Sequence, residues 1–145
     1  MNRNKFLKVC CYSMIGAPSA ASLLQSCSAV YYANFRKDSN KWIVPKSEFV
    51  QEKKGKYKNL DFILIKPENL DFPLCLYKTG DNQYTASLLR CTHRGCELNV
   101  GGGIYSCPCH GSEFSVLGNV IEGPANQDLK IFRTDTDHEN IYIFS

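Results

Sequence analysis

Residues 91–112 read Cys-Thr-His-Arg-Gly-Cys-Glu-Leu-Asn-Val-Gly-Gly-Gly-Ile-Tyr-Ser-Cys-Pro-Cys-His-Gly-Ser. Two six-residue segments inside this stretch, Cys91–Cys96 and Cys107–Ser112, gather four cysteines and two histidines within 22 residues. Each places cysteine and histidine one or two residues apart in a loop that also holds glycine or proline, the residues that turn a chain at strand ends. Such clustering is not a packing pattern. Thiols and imidazoles at short spacing point to a metal site, to a disulfide, or to both. A zinc site could also be built from two cysteines and two histidines.

Working outward, the flanking sequence reads as short strands. Lys41–Pro45 is apolar and stopped by proline, and Leu60–Ile65 is β-branched and partly alternating. Leu74–Tyr77 and Tyr84–Leu89 flank Thr79-Gly80-Asp81-Asn82, strong turn chemistry, and read as a hairpin. Ile104–Ser106 follows three consecutive glycines. Leu129–Arg133 and Ile141–Phe144 flank the polar run Thr134–Asn140 and read as a second hairpin. Lys46–Lys58 is charged and reads as a loop or short helix, and its lysines as a solvated face. No stretch beyond residue 41 carries a long helical period, so the class is all-β. Trp42 and Tyr105 read as core residues, Cys75 as a buried thiol in an apolar strand, and His138 as a surface turn residue.

Taken together, C-x-H-x-G-C followed by C-P-C-H-G-S closely resembles the signature of the Rieske iron–sulfur family. The resemblance extends through Phe114, Gly118 and Gly123-Pro124-Ala125, the last similar to the family's proline loop. It implies an antiparallel β-sandwich with a small cluster-binding subdomain formed by two loops, and one [2Fe–2S] cluster per chain. By that likeness, Cys91 and Cys107 would bind one iron through sulfur, and His93 and His110 the other through nitrogen. Cys96 and Cys109 would form a disulfide tying the loops together. A zinc module would leave Cys96, Cys109, Pro108, Gly111 and Ser112 without a role.

The division of ligands has a physical logic. Two ferric irons, two sulfides and two thiolates sum to zero, whereas four thiolates would leave the oxidised centre doubly negative and harder to reduce. Mixed ligation raises the potential, into a span of roughly −150 to +300 mV. Imidazole nitrogens left free of metal can also carry protons, which couples reduction to pH. The resemblance implies further tuning. Ser112 matches a serine that donates to a bridging sulfide. Phe114 stands where the proteins of respiratory cytochrome bc complexes carry a tyrosine that donates to a ligand sulfur, and phenylalanine cannot donate. Arg94 fills a slot that is apolar in those proteins, and a cation there favours the reduced cluster and an acidic partner. Only 13 residues separate His93 from Cys107, so the intervening loop is trimmed.

The N-terminal end reads as an address. Met1–Lys8 carries Arg3, Lys5 and Lys8, and no charged residue follows until Arg36. A basic start, a moderately apolar run and then small residues are the layout of a secretory signal, here 1–26. Leu23-Leu24-Gln25-Ser26-Cys27 resembles a bacterial lipobox, which implies cleavage before Cys27 and diacylation of it. Residues 27–41 read as a lipid-anchored tether, with a first strand near Val30–Phe35 as the alternative reading of its apolar start, and 42–145 as the Rieske domain. A disulfide requires an oxidising compartment, and an export signal supplies one. The expected location is outside the cytoplasmic membrane. The 145-residue chain has a formal charge of +3, all of it from residues 1–26, which argues against a nucleic-acid binder. No catalytic nucleophile or small-molecule pocket is readable. The expected role is one-electron transfer to or from a redox protein, either a cytochrome or the large subunit of an oxidoreductase. The chain would act as a free carrier or as the small Rieske subunit of a periplasmic oxidoreductase or quinol–cytochrome complex.

Overall fold

The computed structural model describes residues 31–145, so the signal reading of 1–26 and the lipidation of Cys27 lie outside the described residues. Among those described, the chain runs through strands β1 (Arg36–Asp38) and β2 (Lys41–Pro45), one 3-10 turn (Lys46–Phe49), then β3 (Val50–Lys53), β4 (Lys56–Asn59) and β5 (Phe62–Ile65). It continues with β6 (Leu74–Gly80), β7 (Gln83–Leu88), β8 (Asn99–Gly101), β9 (Ile104–Ser106), β10 (Glu113–Ser115) and β11 (Val120–Glu122). It ends with β12 (Ile131–Phe132), β13 (Thr134–Thr136) and β14 (Asn140–Phe144). Three four-stranded antiparallel sheets result, ordered β1-β2-β14-β13, β12-β7-β6-β5 and β11-β10-β9-β8, with β3–β4 a separate two-stranded ribbon.

Period-two alternation explains how these sheets stack. In the middle sheet Ile63, Ile65, Leu74, Leu76, Ala86 and Phe132 share one core with Trp42, Val44, Ile141 and Ile143 of the first sheet. Their strand neighbours Leu64 and Cys75 belong instead to a second core, with Cys91, Tyr105, Cys107 and Phe114 around the third sheet. The middle sheet is therefore covered on both faces. That is why β5 reads as the nearly continuous apolar run Phe-Ile-Leu-Ile, since alternation shows only where one face meets water. Trp42 meets Phe132 edge-on, ring centroids 5.6 Å apart, and closes the first core.

Three expectations are corrected. The tether does not extend to residue 41: Ala33 is buried, its N–H donates to the Leu64 carbonyl (2.8 Å), and Phe35 packs on the first core. This segment covers the free edge of β5, where unpaired backbone groups would otherwise remain, and the body begins at Tyr31. The charged run 46–58 opens with a short 3-10 helix, one of the two forms expected there, but from Val50 onward it is the β3–β4 hairpin rather than a loop. Leu129–Arg133 meets Ile141–Phe144 only at its end, where the Phe144 N–H donates to the Arg133 carbonyl (2.9 Å). Ile131 and Phe132 pair with Ser87 and Ala86 in the middle sheet, and the chain then crosses at Arg133 so that β13 pairs with β14. The buried Phe132 ring holds β12 to the middle sheet, and the Thr134 hydroxyl, donating to the Tyr84 carbonyl (2.7 Å), fixes the crossing.

Candidate metal centre

The two cysteine–histidine segments are the connections before β8 and between β9 and β10, and they fold alike. In the first, the Cys91 N–H donates to the Cys96 carbonyl (2.8 Å) and the Gly95 N–H to the Cys91 carbonyl (2.8 Å). In the second, the Cys107 N–H donates to the Ser112 carbonyl (2.8 Å) and the Gly111 N–H to the Cys107 carbonyl (3.0 Å). Both glycines sit in the left-handed region, at φ +78° and +80°, where a side chain is strained. A Cβ on Gly111 would meet nothing within 4 Å, so the backbone turn alone selects glycine there.

Equal turns bring the side chains together. The rings of His93 and His110 lie 4.9 Å apart, nearly perpendicular. Cys91 and Cys107 are buried free thiols, while Cys96 and Cys109 are joined in a disulfide that links the two tips. The sulfurs of Cys96, Cys107 and Cys109 lie within 4.8 Å of one another. Two of them are spent on each other, so this trio cannot hold a metal through three thiolates. The nitrogen Nδ1 of His93 is buried and has no hydrogen-bond partner among the described residues. A buried polar atom without a partner is costly unless something else meets it.

At Cys107 hydrogen bonding outweighs burial. Burial pushes this thiol up, but the N–H groups of Cys109 and His110 and the Cys91 thiol point at its sulfur, and the net is a shift below the ordinary value. Cys75 behaves oppositely. Burial behind the loops pushes it up to about 12, with the Tyr105 hydroxyl only partly offsetting this, so it stays a protonated core residue. Tyr105 and Trp42 are fully buried, as expected, and His138 lies exposed in the β13–β14 turn.

A third segment covers the tips from one side. The Ala125 N–H donates to the buried Ser112 Oγ (2.9 Å), and the Thr92 hydroxyl donates to the Gln127 carbonyl (2.6 Å). Residues 125–127 are thus pinned to both loops. Asp128 continues the clamp by accepting from the Val120 N–H (2.8 Å) and from Asn119 (3.0 Å). These bonds, the backbone one first, hold its carboxyl below the ordinary range. The sequence gives no sign of Thr92 or Gln127, because their contact spans 35 residues of chain. Phe114 is fully buried opposite Tyr105 on the adjoining strand, and Arg94 is exposed at the first tip with no salt bridge among the described residues.

Two loop tips that carry two free thiols and two adjacent imidazoles beside a disulfide are the donor chemistry of a metallocentre protein. The chain belongs to the Rieske family: residues 42–133 match the Rieske [2Fe-2S] domain. It is 43% identical over 53 residues to the cytochrome b6-f complex iron-sulfur subunit of Synechococcus sp. (strain JA-2-3B'a(2-13)), a match covering 35% of this chain. It is 38% identical over 55 residues to the subunit of the same name from Prochlorococcus marinus (strain MIT 9211), covering 37%. Each match spans only 31% of the curated relative. Among solved structures it resembles the cyanobacterial plasma membrane Rieske protein PetC3 from Synechocystis PCC 6803. That likeness has a TM-score of 0.52 and 32% identity, covering 59% of this chain and 87% of that one. The chain is therefore a Rieske electron-transfer protein, and its cofactor is a [2Fe–2S] cluster. The donor set fits that group: two buried thiols, one with its pKa shifted down by hydrogen bonds to its sulfur, and a buried imidazole nitrogen with no hydrogen-bond partner among the described residues.

Proposed function

We propose that this chain is a membrane-tethered, extracytoplasmic one-electron carrier in which Cys91 and Cys107 hold one iron and His93 and His110 the other. The observation that carries this reading is the convergence of two free thiols and two adjacent imidazoles at disulfide-linked tips. When bound, the cluster supplies reversible uptake of a single electron. The protein's own groups do the rest. Half-buried His93 and exposed His110 place imidazole at the surface, where an electron partner can approach. The segment at Ala125–Gln127 excludes water from the buried cysteines. Ser112, whose Oγ accepts from Ala125, keeps its own hydroxyl proton free to donate inward. Arg94 stabilises the more negative, reduced state.

The lipobox-like run ending at Cys27 supports a lipid anchor and a place in the cell envelope. Among the described residues no helix is long and apolar enough to cross a membrane. A second reading is favoured by the matched relatives, which are subunits of cytochrome complexes: this chain would be the Rieske subunit of such a complex, with a cytochrome as its partner. Gentle detergent extraction separates the two. Purification alone with a reversible one-electron couple supports the carrier, and co-purification with a cytochrome supports the subunit. Palmitate incorporation that disappears in Cys27→Ala tests the anchor, and incorporation that persists contradicts it.

A further inference from the structure

The β3–β4 hairpin is not explained by the core or by the cluster. Among the described residues it pairs with no other strand, and every side chain in it is exposed except the half-buried Gln51. An isolated two-stranded ribbon is marginal on its own, so its composition needs a reason outside the fold. Its register sorts that composition. The pairs Val50–Asn59 and Glu52–Tyr57 lie on one face, and Gln51–Lys58 and Lys53–Lys56 on the other. Three lysines thus share a face that holds no acid, with Lys53 and Lys56 directly opposite each other. Like charges placed directly opposite are unfavourable. Lys54 adds a fourth cation at the turn, at φ +53° before Gly55 at +71°, a conformation that asparagine or glycine adopts more readily than lysine. None of the four lysines has a salt bridge or a side-chain hydrogen bond among the described residues. The one salt bridge found there joins Lys41 to Asp38. The sequence alone reads this run as a solvated face. The register makes it a one-sided cationic surface.

Its position says what it meets. The described chain begins at Tyr31, whose hydroxyl donates to Glu48 (2.6 Å), and Asn34 donates to the same carboxylate from its backbone (3.1 Å) and its side chain (3.2 Å). Glu48 stands two residues before β3, so the chain enters the body at the foot of this hairpin. The residue proposed to carry lipid, Cys27, is four residues from Tyr31, a span of at most about 14 Å fully extended. The four-residue strands make the hairpin roughly 13 Å long. A tether of 14 residues would let the domain stand well clear of the bilayer, but a link this short does not.

We propose that the β3–β4 hairpin is a membrane-surface contact, its Lys53, Lys56 and Lys58 face and the Lys54 tip binding the anionic phospholipid headgroups beside the anchor. The proposal rests on the reading of Cys27 as the lipid attachment site. The hairpin sets the domain's orientation by charge, while the anchor sets its residence. Clusters of four or more lysines near a bilayer bind anionic lipid with an attraction that decays within a Debye length.

The test uses the full-length, cluster-loaded protein on vesicles of phosphatidylcholine alone or with about one-third phosphatidylglycerol, pulsed briefly with an amine-acetylating reagent and read by mass spectrometry. Labelling of Lys53, Lys54, Lys56 and Lys58 falls about tenfold on the anionic vesicles relative to the neutral ones, while Lys130 labels equally on both. The protection disappears in 1 M salt, where the Debye length is about 3 Å. The triple variant Lys53→Glu, Lys56→Glu, Lys58→Glu, altered only at exposed positions, keeps its cluster spectrum and loses the protection of Lys54. Equal labelling on both vesicles overturns the proposal, as does protection that comes only from an added acidic redox protein. Flotation with the neutral vesicles reports the anchor by itself. A chain that fails to float there overturns the anchor reading, and the difference between the two lipid compositions still decides the role of the hairpin.

Discussion

Ser112 and Phe114 lie two residues apart beside the second tip, and they do opposite things. Ser112 accepts from Ala125 and has a hydroxyl proton left to give. Phe114 is fully buried in the same core as Cys91 and Cys107 and has none to give. The neighbouring aromatic does not replace it, because the Tyr105 hydroxyl faces the Val116 carbonyl at 3.5 Å and the Cys75 thiol. Phe114→Tyr therefore raises the midpoint potential. A hydrogen bond stronger by about 1 kcal/mol in the reduced state corresponds to roughly 40 mV for a one-electron couple. Protein-film voltammetry measures it, and an unchanged or lowered midpoint contradicts the argument. The side chains at the two tips were legible in the sequence because cysteine, histidine, glycine and proline stand at fixed spacing there. Thr92 and Gln127 were not, since a hydroxyl meeting a carbonyl 35 residues away leaves no local pattern.

Among the elements, the β10–β11 turn and the C-terminal hairpin each hang on one residue. Gly118 has φ +90°, and a Cβ there would lie 2.6 Å from Ile131 Cδ1. Gly118→Ala costs about 1–3 kcal/mol, mostly from the left-handed backbone, because Ile131 is part-exposed and its end can shift. Thermal unfolding reads this cost. Adding Ile131→Val restores only the steric share, and full restoration would show that the backbone contributes little. In the β13–β14 turn, Asp137 accepts from the Tyr142 hydroxyl (2.6 Å) and from the N–H groups of Asn140 (2.7 Å) and Glu139 (2.8 Å). These bonds, the tyrosine's first, hold its carboxyl down at about 2, against an ordinary 3.8. A lowered folded value means that the stabilisation is present above about pH 4 and is lost as pH falls toward 2. Asp137→Asn accordingly flattens the acid limb of a stability–pH profile between those limits, and an unchanged limb would refute the role. The hairpin β6–β7 was readable from its turn residues. The partner of β12 was not, because one buried ring, Phe132, and one crossing residue, Arg133, decide it through tertiary contact rather than local propensity.

At the scale of the whole fold, the three stacked four-stranded sheets of the described residues form two cores, one purely structural and the other built around the thiols. Sequence periodicity reveals an all-β chain but not this layering, since the middle sheet has no wet face. The extent of the N-terminal linker was only half legible: Val30–Phe35 could be read as a first strand or as tether, and the tertiary contacts of Ala33 and Phe35 at the edge of β5 decide between them. The structure thus moves the start of the folded body from residue 42 to Tyr31. The central claim is a two-iron centre with imidazole on one metal and thiolate on the other. Its most direct test is the electron paramagnetic resonance spectrum of the dithionite-reduced protein, taken together with iron and acid-labile sulfide content. The account predicts two irons and two sulfides per chain, with a mean g-value clearly below that of clusters ligated by four cysteines. A mean g-value equal to theirs, or stoichiometric zinc without labile sulfide, would contradict it.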